Sequence, residues 1–232
     1  MRTWQKYAAE VFGTFVLVGV GTGAILGVKG AGEPVVIGVS LAFGLALITA
    51  LYSVGSVSGG HFNPVVTLAM FLDRRIGFSD AAGYAVSQAL GAFLASGVLA
   101  IVLSRDLVAT TATEMSAAID EFGGFIGEAV LTLVFVFAIL VLSKSQAHTR
   151  FLGMGAALAA VHMVGINLTG ASVNPARSFA PALVGDQWSA FWVYVVGPIV
   201  GAVIAWVLYK LIVEGDTDFT DDISEIKDAT LT

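Results

Sequence analysis

Two glutamates, two asparagines, two histidines and one arginine stand out because each lies in or beside an apolar stretch where a polar side chain is expensive. Glu10 and Glu128 are 118 residues apart in similar surroundings, Ala9-Glu10-Val11-Phe12-Gly13-Thr14 and Gly127-Glu128-Ala129-Val130-Leu131-Thr132. Asn63 and Asn174 are 111 apart, in Ser58-Gly59-Gly60-His61-Phe62-Asn63-Pro64-Val65 and Gly170-Ala171-Ser172-Val173-Asn174-Pro175-Ala176-Arg177. A carboxylate inside an apolar span either relays protons or accepts hydrogen bonds that would otherwise be missing. The symmetry of the pair favours the second role, each carboxylate anchoring the backbone N–H groups of the broken segment in its own half. Asparagine followed by proline is a strong helix start: the side-chain oxygen caps the helix, and proline at the first helical position gives up no useful hydrogen bond. The amide N–H groups of Asn63 and Asn174 then remain to donate to a passing molecule. Arg177, one turn beyond Asn174, is a cation at membrane depth and is expected to face a cavity. His61 is expected to help fix the first loop, with water contact secondary, and His148 to be solvated. His162, alone in an apolar stretch, reads by itself as a packing residue.

The elements that must position these groups follow from the composition. Hydrophobic residues are 57% of the 232 and charged residues 12%, against roughly 25% charged in a typical soluble domain. The mean hydropathy is +0.89, so the chain is a membrane protein. Cysteine is absent, which excludes disulfides, thiolate metal sites and cysteine nucleophiles. Residues 1–213 carry ten acids and ten bases, so the net charge of −6 sits in residues 214–232, an acidic tail expected to be disordered and solubilising. A neutral body with an acidic tail argues against a nucleic-acid partner.

Six stretches are long and apolar enough to span a bilayer, near 7–28, 35–57, 80–104, 122–143, 151–170 and 190–213. The first is expected to be retained, since no small-residue cleavage site follows it. Two further stretches, 64–72 and 175–184, are half as long and begin with Pro64 and Pro175, so they read as half-helices that enter the membrane and stop. Six spans place both ends on one side. That side holds Arg2, Lys6, Arg74, Arg75, Lys144, Arg150, Lys210 and Lys227, against Lys29, Arg105 and Arg177 on the other, which predicts cytoplasmic termini in a cell membrane. The repeated motifs divide residues 1–213 into two three-span halves, about 1–105 and 122–213, joined by a linker over 106–121. Three is odd, so the second half is inverted relative to the first. Broken helices in matching positions of inverted halves point to a transport site near the midplane. The fold class is all-α membrane protein, six transmembrane helices plus two re-entrant half-helices in one channel domain.

With the paired Asn-Pro motifs in this spacing, the chain resembles the aquaporin (major intrinsic protein) family over residues 5–213. The resemblance implies a pore in every subunit and a homotetramer. It also reverses the reading of His162, because members that select water carry a histidine twelve residues before the second asparagine. On the same grounds Phe43, His162, Ala171 and Arg177 resemble a water-type selectivity filter, and Ser178, Ala182 and Tyr194 resemble the water type. Glycerol facilitators tend to have a small residue in place of the histidine and aspartate after the arginine. Val65 departs from the usual alanine and Val195 from the tryptophan common at its position. The resemblance further implies the structural role for Glu10 and Glu128.

The expected function is passive, osmotically driven water conduction that excludes ions and protons, with no catalytic residue, cofactor or metal. The alternatives are a facilitator for glycerol or another small neutral solute, then a proton- or ion-coupled transporter in which Glu10 and Glu128 titrate, and last an adhesive or structural protein. The expected partners are water as permeant and the lipid bilayer.

Overall fold

A computed structural model describes residues 2–28 and 35–215; Lys29 and all of the acidic tail beyond Gly215 lie outside the described residues. Nine helices form in chain order among the described residues: α1 (Thr3–Val28), α2 (Val35–Ser58), α3 (Pro64–Leu72), α4 (Phe78–Val102), α5 (Arg105–Ala109), α6 (Glu121–Lys144), α7 (Arg150–Thr169), α8 (Pro175–Gly185) and α9 (Val193–Tyr209). A wider π-type turn, Lys210–Glu214, extends α9. Six of these elements (α1, α2, α4, α6, α7 and α9) are long and apolar enough to cross a membrane, and no strand occurs among the described residues. In a bilayer the helix is the economical choice, because it satisfies backbone N–H and C=O groups within one segment.

The packing repeats. α1 packs on α2 and α4, as α6 packs on α7 and α9, and α2 meets α7 at the joint between halves. Each half-helix leans across the joint: α3 packs against α9, and α8 against α4. Small residues allow the close approaches, as is usual between membrane helices. A Cβ built at Gly44 would lie 2.6 Å from the Gly155 carbonyl oxygen, and one built at Gly155 would lie 2.6 Å from the Gly44 carbonyl oxygen. Gly91 of α4 lies hard against the Val11 carbonyl of α1, and Gly201 of α9 against the Ala129 carbonyl of α6, the same contact in each half. With these crossings each half of the chain contributes three spans and a half-helix in the same packing pattern.

The start of α1 and the end of α9 share a face, where Arg75 lies over the Tyr209 ring at 5.6 Å. Lys6 pairs with Asp80 at 2.9 Å, and Glu214 pairs with Lys144 and, at 2.8 Å, with Lys210. Two boundaries differ from the hydropathy reading. The last span begins at Val193 and not near 190, because Asp186 and Ala190 adopt left-handed φ of 55° and 47° and residues 186–192 fold as successive turns. The segment read as linker carries the short helix α5, capped by Ser104 Oγ accepting from Leu107 N–H, and then runs back over the second half, where Ser116 N–H donates to the Leu168 carbonyl at 2.8 Å.

Candidate functional site

The two segments that lead into α3 and α8 are non-helical backbone at membrane depth, so each N–H and C=O there needs a partner. Glu10, fully buried on α1, accepts from the N–H groups of the first segment. Its Oε1 accepts from Ser58 Oγ (2.6 Å) and His61 N–H (3.0 Å), and its Oε2 from Phe62 N–H (2.7 Å) and Gln88 Nε2 (2.7 Å). Glu128, fully buried on α6, does the same in the second. Its Oε1 accepts from Thr169 Oγ1 (2.6 Å) and Ser172 N–H (2.8 Å), and its Oε2 from Val173 N–H (2.9 Å). Such charge-assisted bonds are worth about 1.5–3 kcal/mol each. They hold Phe62, Ala171 and Val173 at left-handed φ of 50°, 48° and 43°, a conformation costly for residues with a Cβ.

The half-helices start where the sequence places them, with Pro64 and Pro175 as first residues. Asn63 Oδ1 accepts from Val65 N–H at 3.0 Å, and Asn174 Oδ1 from Ala176 N–H at 3.0 Å and Arg177 N–H at 3.3 Å. The two segments are also bonded to each other. Asn63 Nδ2 donates to the Val173 carbonyl (2.7 Å) and Asn174 Nδ2 to the Phe62 carbonyl (3.0 Å). Phe62 and Val173 are thus held at both ends, N–H by the glutamate of their own half and C=O by the asparagine of the other. Each asparagine amide has two N–H donors, so one on each remains for the lumen.

Above this junction Phe43, His162 and Arg177 come together. The Phe43 and His162 rings stack at 4.4 Å, and the Arg177 guanidinium lies 5.1 Å from the Phe43 ring centroid. His162 Nδ1 is 2.9 Å from the Leu158 carbonyl oxygen, which only accepts, so in the neutral ring Nδ1 carries the hydrogen and Nε2 keeps its lone pair. Nε2 of His162 and Nε and Nη1 of Arg177 are buried without a hydrogen-bond partner among the described residues. An acceptor and two donors therefore stand ready for a molecule in the space between them. That space is a cavity of about 10 Å³, room for about one water. Asn63, Asn174, His61 and Ser172 also line it, and Leu17, Leu47, Phe135 and Leu158 form its apolar side. Towards the face with the chain ends, His61 also borders a wider vestibule of about 270 Å³ that reaches Arg75 and Arg150.

Of the remaining residues singled out in the sequence, His61 is buried, its Nδ1 3.1 Å from Thr67 Oγ1 and its ring edge-on to Tyr84 at 5.1 Å. Ala171 is fully buried but does not line the cavity; a Cβ built at Gly165 would lie 2.9 Å from its own. Val65 is buried at the start of α3, and the exposed His148 accepts from Tyr52 Oη through its carbonyl. Sequence reasoning missed Gln88, which joins α4 to both Glu10 and, at 2.8 Å, Thr67 Oγ1. It also missed Tyr84, whose hydroxyl donates to the Ser58 carbonyl at 2.6 Å. On the other side Thr113 of the linker donates to Ser178 Oγ, which donates to Ser172 Oγ. The signal was present: Gln88 is a polar side chain in an apolar span and needs a partner as much as the glutamates do.

Comparison with known proteins agrees with this architecture. The Major intrinsic protein family profile matches residues 1–209. The chain is 42% identical over 211 residues to glycerol uptake facilitator protein-like 6 of Lactiplantibacillus plantarum, covering 87% of this chain and 94% of that one. It is 37% identical over 224 residues to aquaporin Z of Photorhabdus laumondii, covering 90% and 97%. The X-ray structure of the aquaglyceroporin from Plasmodium falciparum superposes with a TM-score of 0.82 at 22% identity, over 91% of this chain and 97% of that one.

Proposed function

The chain belongs to the major intrinsic protein family, a family of membrane channels, and on that basis we propose that it is a passive water channel that excludes glycerol, ions and protons. The observation that carries this reading is the narrow cavity that runs from Phe43, His162 and Arg177 to Asn63 and Asn174, with room for about one water and one polar side. A water molecule there donates to His162 Nε2 and accepts from Arg177, replacing the partners it leaves behind. A three-carbon polyol has six heavy atoms and exceeds a space with room for about one water. Below, the remaining N–H groups of Asn63 and Asn174 donate to the oxygen of one central water and turn its hydrogens outward. A proton hops along a water file only if successive waters align donor to acceptor, and this water breaks the alignment. The starts of α3 and α8 each add about half a positive elementary charge at the same level. Arg177 adds a second barrier to cations, as an arginine does in aquaporin-type selectivity generally.

A second reading, glycerol conduction, is favoured by one finding, the 42% identity to a protein named as a glycerol uptake facilitator. Parallel stopped-flow light scattering on proteoliposomes, with an impermeant osmolyte and then with glycerol, separates the two. The water reading requires fast shrinkage in the first and no glycerol-driven re-swelling above that of empty vesicles in the second. We further propose a homotetramer in a cell membrane with both termini cytoplasmic, following the excess of arginine and lysine on the face that carries the chain ends.

A further inference from the structure

Behind the two asparagines, on the side away from the pore, lies a second cavity of about 250 Å³. It is lined by Pro64 and Pro175, the first residues of the two half-helices, by Ala89 of α4, Ala176 and Phe179 of α8, Phe191 in the turn before α9, and Val195 of α9. The lining offers no polar surface. Water entering such a space would find no partner, and leaving it empty forfeits the dispersion contacts of every lining atom. The same helices carry an exposed apolar band beside the mouth, Val86, Leu90 and Phe93 of α4 and Val196 and Ile199 of α9, a surface suited to contact with lipid.

We propose that this cleft is a binding site for the distal end of a phospholipid acyl chain. Depth selects which part of the lipid enters. The half-helices, nine and eleven residues long, rise about 14 and 16 Å, which together fill a hydrocarbon core of about 30 Å. Their first residues therefore meet near the bilayer centre, where the terminal methyl segments of both leaflets lie. Shape selects the rest. Val195 is short and β-branched opposite the proline rings, and Ala89 is smaller still, so the cleft is open between them, while the Phe179 and Phe191 rings, 6.5 Å apart, close one end. A chain seated there touches the back of both half-helix starts, whose front faces carry Asn63 and Asn174.

The test is photolabelling of the full chain in proteoliposomes with two phosphatidylcholines, one bearing a diazirine beside the terminal methyl of an acyl chain and one bearing it beside the ester. Adducts are mapped by mass spectrometry, a readout independent of what the pore conducts. We expect the terminal probe to concentrate its adducts on Phe179, Phe191 and Val195, and the ester-side probe to leave those residues unlabelled. Val195→Trp fills the cleft from α9 and Ala89→Leu from α4; each is expected to cut labelling there at least fivefold, while labelling of Val86 and Ile199 persists. Should one of the two variants fail to fold, the other still decides. Terminal-probe adducts spread evenly over Val86, Leu90, Phe93, Val196 and Ile199 without enrichment in the cleft would overturn the proposal. So would enrichment that survives filling the cleft.

Discussion

Single polar side chains here do work that would fall to whole elements in a soluble protein. Arg177 and His162 present buried, unpartnered nitrogens to a space of one-water size, so removing both should enlarge it and strip its polar side. For Arg177→Val with His162→Ala we expect water flow to be retained and glycerol permeability to rise by about tenfold or more, equivalent to at least about 1.4 kcal/mol off the barrier. Glycerol uptake by the double variant equal to wild type, in vesicles shown to conduct water, would place the size barrier elsewhere. Glu10 and Glu128 are a residue-scale question too. Glutamine has nearly the same shape but turns an NH2 group towards donors, so a bond is lost and a donor is stranded at about 1–3 kcal/mol each. Glu10→Gln faces four donors and Glu128→Gln three. Both should lower the thermal midpoint in detergent and reduce water conductance, with the larger drop for Glu10→Gln. Wild-type stability and normal conductance in both would show that the segments hold their left-handed residues without the carboxylates.

At the scale of elements, the fold was legible because its signals are strong and repeated. A span needs only length and apolarity, and Asn-Pro marks a half-helix by capping chemistry, so α3 begins at Pro64 and α8 at Pro175 as the sequence indicates. What was not legible depends on contacts between segments far apart in the chain. No local pattern tells that Asn63 donates to Val173 or Asn174 to Phe62, because those bonds exist only once the two halves meet. The methyl of Ala171 turns towards Gly165, a direction set by a backbone φ of 48° that spacing does not reveal. The close helix crossings were equally hidden, since a glycine at a crossing and a glycine facing lipid look alike in sequence. Gly91 and Gly97 on the same helix make the comparison: the first sits against the Val11 backbone, and nothing lies within 4 Å of a Cβ on the second. Gly91→Ala should lower the thermal midpoint, an overpacking cost of about 1–3 kcal/mol. Gly97→Ala should leave it unchanged or raise it, since alanine favours helix over glycine by about 1 kcal/mol. Equal effects from the two would mean that α1 and α4 do not cross as closely as described.

For the whole molecule, the repeat accounts for the two separate barriers of the proposed water channel. Symmetry brings two half-helix starts and two asparagines to one level, but only the second half carries an arginine one turn beyond its asparagine, with Val66 at the matching position of the first. The midplane is therefore shared by both halves, and the constriction of Phe43, His162 and Arg177 is a feature of one side. Charge exclusion should persist in part without Arg177, because the helix ends and the orienting asparagines remain. The family alone leaves open which neutral molecules pass, since relatives named for water and for glycerol both match this chain. On the proposed reading size at the constriction decides it, and the most direct measurement is wild-type permeability to water and to glycerol in the same proteoliposomes by stopped-flow light scattering. We expect osmotic water flow well above that of empty vesicles and glycerol flow indistinguishable from them. Water and glycerol permeabilities both raised to a similar degree over empty vesicles would contradict a pore limited by one-water space between Phe43, His162 and Arg177.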